Sequence, residues 1–264
     1  MNTGILQKEL HTKWIGRQTL AFHEIDSTND EAFRRAGNGA EEGLLVMADF
    51  QTKGKGRKGR SWDSVSGGNI AMSILLRPDI SPSAAPRLTL VMALACAEGI
   101  KEASGILTGI KWPNDIVVKG KKICGILTEM KVCGADPPEI VIGVGINVNT
   151  EGFPEEIRDR AASLFLESGK KQSCERVMAS ILERFEKYYA VFLKTGTLAE
   201  LKDNYDQACV NNGRRVCVMD PKGQYEAEAV GINEKGELLI IRDDGSMDSV
   251  YAGEVSVRGI YGYA

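Results

Sequence analysis

The apolar and polar positions fall into two textures that change near residue 207. Before it, residues 20–25, 44–49, 69–77, 116–118, 123–130 and 139–149 read as strands, with 69–77 apolar enough to be buried. Residues 88–100 form an apolar helix introduced by Pro82 and Pro86. Residues 173–195 form a longer one, in which Val177, Ile181, Phe185, Tyr188 and Phe192 make a stripe with Met178, Leu182 and Tyr189 beside it. At this spacing such residues are core, and no function is assigned to them. A third helix starts at Asp26-Ser27-Thr28-Asn29, which supply cap residues, and ends near Gly37; residues 1–19 read as a short helical lead. Gly196 ends the long helix, and a short helical stretch runs to Asp206.

Strands joined in hairpins, with helices inserted between them, predict an α+β fold: a mixed, largely antiparallel sheet with helices packed on one face. The later texture is different. Short strands at 214–219, 225–232, 237–241 and 246–251, separated by Gly and Asp turns, indicate a small β-barrel or sandwich. The predicted domains are residues 1–207 and 208–264.

Composition narrows the classes. The chain has 264 residues, 43% hydrophobic and 26% charged, as a globular protein has. A net charge of −3 provides no global basic field, which weighs against a nucleic-acid partner, as does the lack of a helix with a basic recognition face. Six cysteines, none in a C-x-x-C pair, speak against a zinc or redox motif and for a reduced, cytoplasmic chain. Two histidines, His11 and His23, are too few for a multi-histidine metal site and make a Ser-His-Asp triad an unpromising reading. The first twenty residues are too polar for a signal peptide, and no apolar run reaches membrane-spanning length, so no membrane is expected.

Chemistry concentrates in the ten residues Lys53-Gly54-Lys55-Gly56-Arg57-Lys58-Gly59-Arg60-Ser61-Trp62, with three glycines, five cations and one aromatic. Glycines allow a close backbone approach to a ligand. Arg57 and Arg60 are forks suited to phosphate or carboxylate, Lys55 and Lys58 are point charges, and Trp62 offers a flat face. Read alone, this is a solvated basic loop, a nucleic-acid patch or an anion-binding loop. It is not a Walker loop, because no Gly-Lys in the chain is followed by Ser or Thr.

The loop stands in order with Asp26-Ser27-Thr28-Asn29, Gln51-Thr52, Lys111-Trp112-Pro113-Asn114-Asp115, Gly125-Ile126-Leu127-Thr128-Glu129, Gly143-Val144-Gly145-Ile146-Asn147-Val148 and Gly253-Glu254-Val255-Ser256-Val257-Arg258. Together these closely resemble the biotin–protein ligases, also called biotin–[acetyl-CoA-carboxylase] ligases, over nearly the whole chain. The resemblance implies an α/β ligase domain followed by an SH3-like barrel. It implies an enzyme that activates biotin with ATP as biotinyl-5′-AMP and transfers it to a lysine of a biotin carboxyl carrier domain. It also implies the form without an N-terminal helix-turn-helix, with no DNA partner. A monomer and a homodimer both stay open.

Carried over by position, the resemblance puts Ser27, Thr28, Asn29, Gln51, Gly54, Lys55, Gly56 and Gly125 on biotin. Lys111 and Arg57 would be catalytic and would also touch biotin, with Lys111 between its carboxylate and the α-phosphate. Arg57, Arg60, Trp62, Asn147 and Arg258 would hold the adenylate or ATP, Trp62 against adenine. Magnesium would be held by phosphates, with Asn147 as a candidate ligand. Without the resemblance, Ser27 and Thr28 are caps, Lys111 is a surface lysine at a strand start, and Gly143 and Gly145 mark a bulge. Lys55 stands where the family often has arginine, keeping the charge but losing the fork. The rival enzyme is a lipoate–protein ligase, whose usual Arg-Arg-x-Ser-Gly-Gly-Gly loop is absent from this sequence. The rival of another class is a biotin or nucleotide sensor without catalysis.

Overall fold

The computed structural model describes residues 1–62, 68–132, 137–220, 223–252, 256–259 and 263, with the backbone alone at 220, 256, 258 and 259. Strands β1 (Thr19–Ile25), β2 (Leu45–Gln51), β3 (Ile70–Leu76), β4 (Gly109–Lys111), β5 (Asp115–Val118), β6 (Lys121–Lys131) and β7 (Glu139–Ile146) form one sheet in the order β1-β2-β3-β7-β6-β5-β4. Only β1 and β2 run parallel; every other neighbouring pair is antiparallel. The mixed, largely antiparallel sheet predicted from the pattern is therefore the one that forms.

Helix α1 (Thr3–Glu9) precedes the first strand, and α2 (Thr28–Gly37), α3 (Arg87–Ser104), α4 (Leu164–Ser168), α5 (Cys174–Thr195) and α6 (Lys202–Ala208) lie between strands in sequence. They do not all pack on one face, as the pattern had suggested. All seven residues of β3 are buried, which needs cover on both sides. Ile70, Met72, Ile74 and Leu76 join the main core with α3 and α5. Leu75 faces the other way and packs with Leu44, Val46, Val141 and the Ala32, Phe33 and Ala36 of α2. One helix thus covers the face opposite to the rest of the core.

The stripe on α5 is core as expected, with Val177, Ile181, Phe185, Tyr188 and Phe192 buried. By length and composition the stretch Pro82–Ser104 is apolar enough to cross a bilayer, contrary to the sequence reading. In the fold it is largely buried between the sheet and α5, which accounts for its composition.

After α6, strands β8 (Arg214–Asp220), β9 (Gly223–Ile232), β10 (Leu238–Ile241), β11 (Met247–Val250) and β12 (Ser256–Gly259) form a second antiparallel sheet in the order β11-β10-β9-β8-β12. Its form is that of the small SH3-like barrel. Val216, Val218, Ala227, Ile232, Leu238 and Val257 bury into the same core as the large sheet. Trp112 is the joint. Its ring is buried, its backbone N–H donates to Asn211 Oδ1 at 2.8 Å, and its Nε1–H donates to the Gly236 carbonyl at 3.0 Å. These bonds tie the segment that carries Lys111 to the barrel side.

Candidate active site

Helix α2 begins over the sheet, and its first turn carries the polar side chains that line one end of a cleft. Ser27 is the cap, its hydroxyl accepting from the Asp30 N–H. Thr28 and Asn29 follow, both buried. The N–H and hydroxyl of Thr28 donate to Gln51 Oε1 at 2.8 and 3.0 Å. Ser73 Oγ donates to Asn29 Oδ1 at 2.6 Å and lies 2.7 Å from Thr28 Oγ1. Asn29 Nδ2 donates to Glu129 Oε2 at 2.7 Å. A hydrogen-bonded chain therefore links β2, α2, β3 and β6. Ser73 was not singled out in the sequence, where it is one small polar residue inside an apolar run. Its only signal was that it interrupts that run.

Gly143 makes this chain possible. A Cβ there would stand 2.2 Å from Asn29 Oδ1, which no relaxed side chain allows. The bulge reading for Gly143 and Gly145 is not what forms, since β7 keeps unbroken register with β3 and β6. These glycines admit side chains. A Cβ on Gly145 would stand 2.4 Å from the indole of Trp62, and one on Gly125 would stand 3.0 Å from the same ring.

The glycine-basic loop folds as a small hairpin. Lys55 and Ser61 bridge, Trp62 N–H donates to the Gly54 carbonyl at 2.9 Å, and Gly56 N–H donates to the Arg60 carbonyl at 2.7 Å. Lys58 sits at its tip in the left-handed region, with φ 58°. Lys55 pairs with Asp30 and lies 3.8 Å from Glu129, so its ammonium anchors the loop to α2 and to the polar chain. The bond to Asp30 holds its pKa above the usual lysine value. Arg57 turns inward. One Nη donates to Asn114 Oδ1 at 2.8 Å and the other to the Ala252 carbonyl of the barrel. Burial pulls its pKa down, against the attraction of Asp115. Arg60 stays exposed.

The β4–β5 hairpin closes the other end. Lys111 and Asp115 are cross-strand partners. Lys111 is buried, 6% exposed, and its ammonium lies 3.6 Å from the centroid of the Tyr263 ring. Asp115 Oδ1 is 2.6 Å from Lys122 Nζ, and its Oδ2 accepts from the Tyr263 hydroxyl at 2.6 Å.

Lys122 is the functional candidate that sequence reasoning missed. In the sequence it belongs to Lys119-Gly120-Lys121-Lys122, a polar turn. In the sheet, the register between β5 and β6 shifts by one residue between Ile116 and Val117. That bulge pairs Lys122, instead of Ile123, with Val117, on the face that also carries Asp115 and Gly125. Its ammonium reaches over Gly125 and lies 5.3 Å from the Trp62 ring centroid.

The resulting cleft encloses about 470 Å³ up to its open mouth. Thr28, Asn29 and Gln51 line its inner end, and Arg57, Asn114 and Lys122 its outer end. Ser27, Lys55, Gly56, Trp62 and Gly125 also line it, as expected, while Gly54 and Arg60 border the adjoining groove along the loop. Lys111 is not among the residues that line the cleft; it stands directly across the hairpin from Asp115, on the same face. Nor is Asn147, whose Nδ2 donates to the Ala162 carbonyl at 3.2 Å and so fixes a neighbouring loop. Arg258 stands in β12 opposite Cys217, but its side chain lies outside the described residues, as do Gly253, Glu254 and Val255.

Residues 21–147 match the biotin/lipoate A/B protein ligase family, and residues 213–258 match the biotin protein ligase C-terminal domain. The chain is 39% identical over 251 residues to the bifunctional ligase/repressor BirA of Bacillus subtilis, covering 94% of this chain and 76% of that protein. It is 31% identical over 248 residues to the biotin–[acetyl-CoA-carboxylase] ligase of Mycobacterium tuberculosis, covering 89% of each. Among solved structures, the biotin protein ligase of Aquifex aeolicus in complex with biotin and ATP superposes with a TM-score of 0.81 at 32% identity, over 92% of this chain and 99% of that one.

Proposed function

The chain belongs to the biotin/lipoate A/B protein ligase family, and from that premise we propose that it joins biotin to a lysine of a biotin carboxyl carrier domain by way of biotinyl-5′-AMP. One observation carries the reading. The cleft presents hydrogen-bonded amide and hydroxyl groups where Thr28, Asn29 and Gln51 meet, with Lys55 matched there by Asp30 and Glu129, and it is cationic where Arg57 and Lys122 converge on the β4–β5 hairpin. Biotin has the same polarity: a neutral ureido ring at one end and a carboxylate at the other.

The ureido ring needs donors and acceptors together, and amide and hydroxyl side chains supply both. They are already held by one another, so little ordering is left for binding. The carboxylate then lies near Lys122 and Arg57. A carboxylate oxygen attacks the α-phosphorus of ATP, the bond from that phosphorus to the bridging oxygen breaks, and pyrophosphate leaves with the electron pair. Two anions must meet, and charge builds on the phosphoryl oxygens. Fixed cations stabilise that charge because they need no reorganisation. Asp115 fixes Lys122, and Asn114 with the Ala252 carbonyl fixes Arg57. We assign the main catalytic position to Lys122 with Arg57, and place Lys111 beside Asp115 on the same face of the hairpin, toward the nucleotide. In the second step a deprotonated lysine amine attacks the acyl carbon, the bond to the adenylate oxygen breaks, and AMP leaves.

Among the described residues no cluster of three His, Cys, Asp or Glu side chains could hold a metal alone. Magnesium would fit as an ion carried on the phosphates, with Asp115 the carboxylate at that part of the cleft, neutralising the leaving pyrophosphate. We place the division between ligase domain and barrel at 207/208, with the Ala252 contact tying the barrel to the loop.

The match to the biotin protein ligase C-terminal domain supports biotin over lipoate. The test is pyrophosphate release on mixing the protein with ATP, magnesium and either acid, followed by addition of a carrier domain. Biotin should give pyrophosphate and then AMP with labelled carrier. Release that is absent with biotin, or equal with lipoate, would overturn the reading.

A further inference from the structure

Tyr263 makes two contacts that the ligase reading leaves unexplained. Its ring lies against the Lys111 ammonium, 3.6 Å from centroid to nitrogen. Its hydroxyl donates to Asp115 Oδ2, and Oδ1 of the same carboxylate holds Lys122. Lys111, Asp115 and Lys122 are thus tied together through one tyrosine. Burial, reinforced by the Asp115 carboxylate, pushes the phenol well above the usual tyrosine pKa, so it remains a donor across the working range.

A cation over a ring is a weaker contact than a charge-assisted bond to phosphate. The ring can therefore occupy the site and still yield to a phosphate chain. We propose that Tyr263 is a residue of the nucleotide site that occupies the place of ATP phosphate on Lys111 and must be displaced when ATP binds. This rests on the reading that ATP meets the cleft at the β4–β5 hairpin. Tyr263 then lowers the apparent ATP affinity by the fraction of molecules in which it covers Lys111. Its departure also removes the phenol from Asp115 Oδ2 while Oδ1 keeps Lys122, so nucleotide binding reaches the cleft cation through that carboxylate.

The test uses the full chain. In Tyr263→Ala, acetylation of Lys111 by N-acetoxysuccinimide, read by peptide mass spectrometry, should run faster than in the unaltered protein. ATP affinity measured by calorimetry should rise about tenfold. Tyr263→Phe keeps the cover but loses the bond to Asp115, and should fall between the two. In the unaltered protein, nitration of Tyr263 by tetranitromethane should increase when α,β-methylene-ATP binds, a readout that needs no variant to fold. Unchanged or weaker ATP affinity in the alanine variant, or Tyr263 protected by the analogue, would overturn the proposal and make the residue a bystander or a nucleotide contact. A failure of the ligase reading shows separately, as unaltered protein that releases no pyrophosphate with biotin while its Lys111 labelling still responds to Tyr263.

Discussion

At the inner end of the cleft, Thr28, Asn29 and Ser73 are buried and bonded to one another, and the loop lysine Lys55 anchors there through Asp30. At the outer end, Arg57 and Lys122 are half-buried and Arg60 is exposed. The first group is held by hydrogen bonds across β2, α2, β3 and β6, one of them to the Glu129 carboxylate. In the second, Asn114 and the Ala252 carbonyl hold Arg57, and Asp115 holds Lys122. A buried polar network is costly to leave partly unmade, so it specifies one ligand shape. Cations held in place stabilise charge as it builds during a reaction. On the proposed ligase reading, the two ends divide recognition from chemistry.

The largest effect should come from Lys122→Ala. Removing one fixed cation at the reacting centre is expected to slow adenylate formation by about 10²–10³-fold, measured as single-turnover pyrophosphate release. Lys111→Ala should slow it less and act on ATP affinity. Equal losses in rate from the two lysines would break the assignment of chemistry to the cleft side of Asp115.

Next is Gly143→Ala, aimed at the inner end. The new Cβ would meet Asn29 Oδ1 at 2.2 Å, so the amide must leave its bonds to Ser73 and Glu129. An overpacked site of this kind costs about 1–3 kcal/mol. The loss should appear as weaker biotin binding in calorimetry, with the rate at saturating biotin little changed.

Arg57→Gly probes the outer tether. It removes the bonds to Asn114 and Ala252 and adds flexibility to a glycine-rich loop. Adenylate synthesis should slow less than in Lys122→Ala. Release of preformed adenylate should quicken by roughly tenfold, since lost contacts act mainly on dissociation. Freed adenylate would label serum albumin added as a bystander. An unchanged off-rate with unchanged bystander labelling would show that another group retains the intermediate.

The smallest effect concerns Asp26, at the start of the helix that carries the inner end. Its hydrogen bonds to Arg34 lower its pKa from 3.8 to about 2. A carboxyl whose folded pKa is depressed contributes stability above 3.8, and that contribution is lost as pH falls toward 2. The pair is exposed, so the contribution is under about 1 kcal/mol. Asp26→Asn should lower Tm slightly at pH 7 and leave it unchanged near pH 2. An equal drop at both would mean the asparagine disturbs the cap by some other route.

Much of the inner end was legible in the sequence, because helix caps and a Gln before a glycine-rich loop are local patterns. The loop and Trp62 were legible for the same reason. Lys122 was not, because three lysines around Gly120 read as a solvated turn, and only the bulge opposite Val117 turns the third inward. The tie of Asn147 was equally hidden: its Nδ2 donates to the Ala162 carbonyl, a partner fifteen residues away. The second covered face of the sheet was signalled by the unbroken apolar run at 69–77, but which helix covers it depends on chain path. The contacts of Tyr263 with Lys111 and Asp115 join distant parts of the chain and have no local signature.

The division of the cleft is tested most directly by measuring two quantities on two variants: the biotin dissociation constant and the single-turnover rate of adenylate formation, for Asn29→Ala and Lys122→Ala. Asn29→Ala should weaken biotin binding and leave the saturated rate close to that of the unaltered protein. Lys122→Ala should lower the rate by about two orders of magnitude or more with biotin binding nearly unchanged. Both variants moving the same quantity, or each moving the other's, would contradict that division.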